Sequence, residues 1–310
     1  MSFSILPPFL RSGDCIGIVA TARWMAPGQM DMALAVLTSW GFRVRVSEAV
    51  EERFGQLAGN DELRRKELQQ MLDDQELSAI VIARGGYGTV RIIDQLDWSE
   101  FYKKPKWICG YSDISVLLSH LTNQGIACIH STMPISFPDA TEKALAQLRG
   151  CLSGSLAQIT WETPEWSDDS TGVTGNLVGG NLSVIYSVLG SKTQVNTSNS
   201  ILFIEDVDEH LYHIDRMCWA LRRAGIFDSV RAVLVGGMTQ IKDNTIEFGF
   251  KMDNPWGFDV HEIIRNSLPD ISIPIFGGFP AGHQNDNRAF MLGRTVEVSA
   301  IRSSATLKYI

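Results

Sequence analysis

The sequence predicts an α/β protein of two domains, with an open, mostly parallel sheet in the first half and a strand-rich α+β arrangement in the second. Three observations lead there. At 310 residues the chain is long for a single hydrophobic core. Through the first half, short apolar runs alternate with segments of helical period, as in a parallel sheet with helical crossovers. Residues 152–173, LSGSLAQITWETPEWSDDSTGV, then break the alternation with Ser, Thr, Pro, Asp and Trp and no helical period. The expected division is a first domain at 1–155, a linker at 156–172 and a second domain at 173–310.

The first strand is the apolar run CIGIVA (15–20), between Gly13-Asp14 and Thr21. Met30 to Trp40 has helical periodicity ended by Gly41. FRVRVSEAV (42–50) reads as the second strand, and Asp61 to Leu72 as a helix with Asp61 as N-cap and Glu62 and Lys66 as i, i+4 neighbours. LSAIVIARGG (77–86) is the third strand, its continuous apolar character suiting a parallel strand covered on both faces. The fourth, KWICG (106–110), runs into the helix SDISVLLSHLTNQG ending at Gly125. Beyond the break come GNLVGGN leading into the helix LSVIYSVLG, ILFIEDVDEH, a helix from Leu211 to Ala224, RAVLVGGM, IPIFGGFPAGH, and a hairpin-like pair AFMLGRTVEVSA and ATLKYI.

Composition narrows the function. With 27 Lys and Arg against 35 Asp and Glu the formal charge is -8, and no basic cluster offers a phosphate-binding surface, so nucleic acid is not an expected partner. The N-terminal MSFSILPPFLRSGD has no basic start, apolar run or small-residue cleavage site, and no later run reaches membrane-spanning length, which predicts a cytoplasmic chain. The 5 cysteines have irregular spacing and no CxxC pair, so neither a disulfide framework nor a zinc site is expected.

The chemistry-bearing stretch is WICGYSDIS (107–115), a strand end, a turn and a helix start with Ser112 at the tip. That is where open α/β sheets bind ligands, and unpaired N–H groups at a helix start can hold an oxyanion. Ser112 could equally be the helix N-cap with Asp113 complementing the dipole, because Gly110-Tyr-Ser112-Asp-Ile114 lacks the second glycine of a G-x-S-x-G elbow. A nucleophilic serine also needs a base and an acid that orients it. Of the 6 histidines, His283 in GGFPAGHQNDN lies on a polar loop, where catalytic groups concentrate. His120, His210 and His213 lie in or beside helices, and His130 follows a strand-like ACIH. The strand ILFIEDVDEH stops at Glu205 and Asp206, a solvated acidic loop or a carboxylate that orients an imidazole. ARGGYG (83–88) can bring main-chain N–H groups close to another atom, yet it is neither a P-loop nor a dinucleotide fingerprint.

Together these segments resemble the LD-carboxypeptidase family of serine peptidases, which includes microcin-immunity-type peptidases. The matching pieces occur in family order: IGIVATA, FGQLAGNDELRRKEL, ARGGYGTVRIIDQLD, GYSDIS, GNLVGGNLSVIYSVLG, FIEDVDEHLYHIDRM and FPAGHQNDN. The resemblance implies a flavodoxin-like N-terminal domain and a smaller β-rich α+β C-terminal domain. It assigns Ser112 as nucleophile, Glu205 as acid and His283 as base, with the serine on the first domain and its two partners on the second. The backbone N–H groups of Asp113 and Gly86 would hold the oxyanion, and Arg84 and Asn181 would bind substrate.

The implied reaction is hydrolysis of an L,D amide that frees terminal D-Ala from a cytoplasmic murein tetrapeptide, with no metal or cofactor, by a homodimer. The chain departs from the family at His130-Ser-Thr-Met133, where relatives read H-G-P-M, and at Asp208-Glu209-His210. Two rivals stand beside this reading. A detoxifying relative would cleave aminoacyl-nucleotide analogues and needs an aromatic platform, for which Trp256 is available. In a non-catalytic flavodoxin-like binding protein, Ser112 would only cap its helix.

Overall fold

The computed structural model describes residues 4–310. Residues 1–3, the start of the N-terminal stretch MSFSILPPFLRSGD, lie outside the described residues. The chain divides into two compact units, one reaching to Ala157 and including Asn285–Gly293, the other Gln158–Gln284 with Arg294–Ile310.

Five parallel strands form the first sheet: β1 Cys15–Val19, β2 Arg43–Val46, β3 Leu77–Ile82, β4 Trp107–Gly110 and β5 Cys128–His130. Their spatial order is β2-β1-β3-β4-β5, the flavodoxin-like arrangement, with Phe290–Leu292 added antiparallel beside β5. β1 and β4 are buried throughout, as expected of parallel strands with helices on both faces. Helices Asp31–Ser39, Asp61–Asp73, Ser115–Asn123 and Glu142–Ser153 supply that cover.

Several local expectations shift. Asn60, not Asp61, caps the second helix, its Oδ1 accepting from Leu63 N at 2.8 Å. Asp61 instead pairs with Arg64 and Arg91. The strand expected over 42–50 ends at Val46 and gives way to a 3-10 turn, Glu48–Val50. AFML does not join the final hairpin, because Phe290–Leu292 pairs with β5 in the first unit.

The second unit is a mixed seven-stranded sheet. Ser170–Asn181 runs parallel to Ser200–Val207, and beyond it lie Val230–Thr239 and Ile275–Phe276 in the same sense. On the other side Thr295–Ile301, Ser304–Tyr309 and Ile159–Glu162 continue antiparallel. Helices Leu211–Arg223 and Val260–Ser267 bury Ile214, Leu221, Ile263 and Ile264 in one apolar cluster with Leu202, Ile204 and Val233 of the sheet. The segment expected as a linker is partly strand: Ile159–Glu162 alternates buried and exposed residues at the sheet edge, and Ser170 opens a long strand. Among the described residues no helix is long and apolar enough to cross a membrane.

Candidate active site

In the first unit, Ser112 lies one residue beyond the end of β4, after Tyr111, and is not the extended N-cap of a helix. It has φ 64°, in the left-handed region. A 3-10 turn, Ser112–Ile114, separates it from the α-helix beginning at Ser115. A left-handed conformation costs a non-glycine residue about 1–2 kcal/mol, and such strain concentrates where a side chain must be aimed. Gly85 provides the room: a Cβ there would lie 3.1 Å from Ser112 Cβ and 3.3 Å from its Oγ.

The glycine loop after β3 is held from below. Asp113 is 3% exposed, and its Oδ2 accepts from Thr89 N at 2.9 Å. Burial raises its pKa, opposed by hydrogen bonds from Thr89 and Gly88 and by the charge of Arg64. Arg64 is fully buried and donates to Thr21 O at 2.6 Å. Gly88, with φ 146°, is where Arg64 passes: a Cβ would lie 2.4 Å from its Nη1. Asp113 and Arg64 thus fix the loop that carries Gly85 and Gly86.

In the second unit, Glu205 and Asp206 lie inside the strand Ser200–Val207, not past its end, at 0% and 1% exposure. A buried carboxylate needs partners. Asp206 accepts from Asn181 Nδ2, Ser183 N and Val207 N, each at 2.9 Å. Burial, with the charge of Glu205, raises its pKa to about 6. Glu205 Oε2 accepts from His283 Nδ1 at 2.7 Å and His283 N at 3.2 Å. This fixes the ring with Nδ1–H toward the carboxylate and makes Nε2 the acceptor nitrogen. Burial alone would lower the His283 pKa, but the Glu205 hydrogen bond and the charges of Glu205 and Asp206 outweigh it, and the pKa is raised above the ordinary 6.5.

The histidine loop sits close on the strands. Gly237 N donates to Ala281 O at 2.8 Å and Thr239 Oγ1 to His283 O at 3.0 Å. Gly282 has φ 106°, and a Cβ there would lie 2.8 Å from Glu205 Cβ and Oε2. Gly282→Ala is therefore expected to cost about 1–3 kcal/mol in a thermal melt, and to lower activity by displacing the imidazole.

Residues 16–131 match the LD-carboxypeptidase N-terminal domain and residues 174–298 the LD-carboxypeptidase C-terminal domain. A Synechocystis sp. protein named only as a carboxypeptidase is 31% identical over 306 residues, 97% of this chain and 96% of its own. The chain belongs to the LD-carboxypeptidase family. The murein tetrapeptide carboxypeptidase of Pseudomonas aeruginosa is 28% identical over 298 residues, covering 93% of this chain and 94% of the relative. The crystal structure of muramoyltetrapeptide carboxypeptidase from Oxalobacter formigenes superposes with TM-score 0.84 at 25% identity, over 95% of this chain and 98% of that one. The microcin C7 self-immunity protein MccF in complex with aspartyl sulfamoyl adenosine shares the fold, with TM-score 0.84 at 20% identity over 98% of each chain.

Other candidates have structural work in this LD-carboxypeptidase family member. Asn181 caps the helix Leu182–Ser187 through Val184 N, 3.1 Å, and its amide nitrogen holds Asp206. His120 stacks on Trp98 at 4.3 Å and meets Tyr102 Oη at 2.9 Å. His130 is fully buried against Phe290. His213 pairs with Glu209 at 2.9 Å, and Trp256 is 39% exposed. All five cysteines are buried and free. Sequence reasoning missed Arg64, which no local pattern in the helix Asp61–Asp73 singles out, and the grip of Asp113 on the glycine loop.

Proposed function

We propose that this protein is a serine carboxypeptidase that hydrolyses the L,D amide releasing terminal D-Ala from murein tetrapeptides in the cytoplasm. The observation that carries the reading is Ser112, a strained serine on a strand-to-helix turn, in a family member that also holds a histidine oriented by a buried carboxylate. His283 takes the proton of Ser112 at Nε2 while the hydroxyl oxygen attacks the scissile carbonyl. The developing oxyanion is held by the N–H groups of Asp113, in the turn that Ser112 opens, and of Gly86, in the glycine loop. His283 then protonates the departing amine, D-Ala leaves, and water activated by the same imidazole releases the acyl group from Ser112.

The likeness to MccF keeps one alternative, cleavage of an aminoacyl-nucleotide analogue with Trp256 as an aromatic platform. Incubating the purified protein with an L,D-tetrapeptide and, separately, with an aminoacyl-sulfamoyl adenosine separates the two. Free D-Ala from the first is the expected result; cleavage of the second alone would transfer the function to the detoxifying class.

A further inference from the structure

Three arginines converge at the carboxyl edge of the first sheet: Arg23 after β1, Arg84 after β3, and Arg53 on a two-stranded ribbon, Arg53–Phe54 with Leu57–Ala58. With Trp24, Gln29 and Gln56 they line a cleft of about 400 Å³, and no Asp or Glu lines it. None of the three makes an ion pair among the described residues. Uncompensated positive charge in one cleft is unexpected in a chain of net charge -8. The arginines also crowd one another, since burial and then the charge of Arg23 lower the Arg84 pKa.

The cleft is organised and well placed. Arg84 Nη1 donates to Trp24 O at 3.1 Å, and Arg53 lies over the Trp24 ring at 5.0 Å. β1 and β3 are the neighbours between which the strand order reverses, where open α/β sheets take their ligands. The Arg23 stem lies on Gly86, where a Cβ would be 2.7 Å from its Cγ, Cδ and Nε. Ser112 lies against the adjacent Gly85. Ser112 and the Arg23 stem therefore pack on consecutive glycines of one loop, whose Cα atoms are about 3.8 Å apart.

In a peptide cut before its last residue, the free carboxylate is also one residue beyond the scissile carbonyl. We propose that the Arg23–Arg53–Arg84 cleft is the subsite for the terminal carboxylate of the departing D-residue, and that it restricts the enzyme to free peptide ends. Guanidinium groups suit this task because their fixed fork of donors matches a carboxylate. The proposal rests on the carboxypeptidase reading of Ser112.

The test compares an L,D-tetrapeptide bearing a free terminal carboxylate with the same peptide amidated at its C-terminus, for the parent, Arg84→Gln, Arg23→Gln and Arg84→Lys. The parent should favour the acid over the amide in kcat/KM by 100-fold or more. Each glutamine variant should reduce that ratio by about 10- to 100-fold, the loss expected for one charge-assisted contact, chiefly through KM and with an unchanged melting temperature. Arg84→Lys should recover part of it. A ratio that stays at the parent value in both glutamine variants, or falls equally in Arg84→Lys, overturns the subsite alone. No turnover of either peptide by the parent overturns the carboxypeptidase reading, and the subsite with it.

Discussion

Ser112→Ala and Ser112→Gly are both expected to lose turnover by on the order of 10⁴- to 10⁶-fold, and the glycine variant is expected to be at least as stable as the parent. The two effects have opposite origins. On the proposed mechanism, removing the hydroxyl removes the covalent route. The backbone at 112, however, stands at φ 64°, which glycine adopts without the steric penalty a Cβ incurs. Relief of that strain, offset by the larger conformational entropy of glycine in the unfolded chain, leaves a gain of up to about 1 kcal/mol. Alanine keeps the Cβ, and its melt should stay close to that of the parent. A helix-capping serine predicts the reverse, a loss of about 1 kcal/mol with function intact. Thermal or urea melts read beside D-Ala release decide it: an active Ser112→Ala, or a glycine variant clearly less stable than the parent, would sink the nucleophile assignment.

What the chain announces and what it conceals follow from the range of the interactions involved. β1, β3 and β4 are largely apolar runs, CIGIV, LSAIVI and WICG, and each is legible from its own pattern. The position of Ser112 at a strand end was legible for the same reason, but its left-handed backbone was not. That conformation depends on Gly85, 27 residues earlier in sequence by number (112 − 85), leaving room for the side chain. Because four acids fall within five residues, Glu205 and Asp206 left two readings open, a solvated loop or a carboxylate that orients an imidazole. They are buried where Asn181 and the N-terminus of its helix donate to one carboxylate, and the His283 backbone and imidazole donate to Oε2 of the other. Phe290–Leu292 looked like half of a hairpin, since local alternation cannot tell which sheet offers a free edge. Segments such as ARGGYG, GYSDIS and FPAGHQNDN, occurring in family order, carried the family likeness, while the Asn60 cap was missed by one residue, the usual margin at helix ends.

Glu205→Gln is expected to lower kcat by roughly 10³- to 10⁴-fold and to move the acid limb of the pH profile downward. As the proposed base, His283 would act only when neutral, so activity should rise with pH through its folded pKa. Burial pulls that pKa down, and the hydrogen bond and charge of Glu205, aided by Asp206, pull it up by more, so the limb of kcat/KM should lie above 6.5. Glutamine removes the charge and the strong acceptor at 2.7 Å; burial then dominates and the residual activity should titrate at lower pH. Stability carries the matching signature. A histidine whose folded pKa is raised contributes stability that is fully present below its unfolded pKa of about 6.5 and is lost as pH rises through the folded value. The destabilisation by Glu205→Gln should therefore be larger at pH 5.5 than at pH 9. Replacing Glu205 at a purely structural position would lower stability without moving the pH limb, so a residual activity that titrates where the parent does would remove Glu205 from its role as the orienting acid.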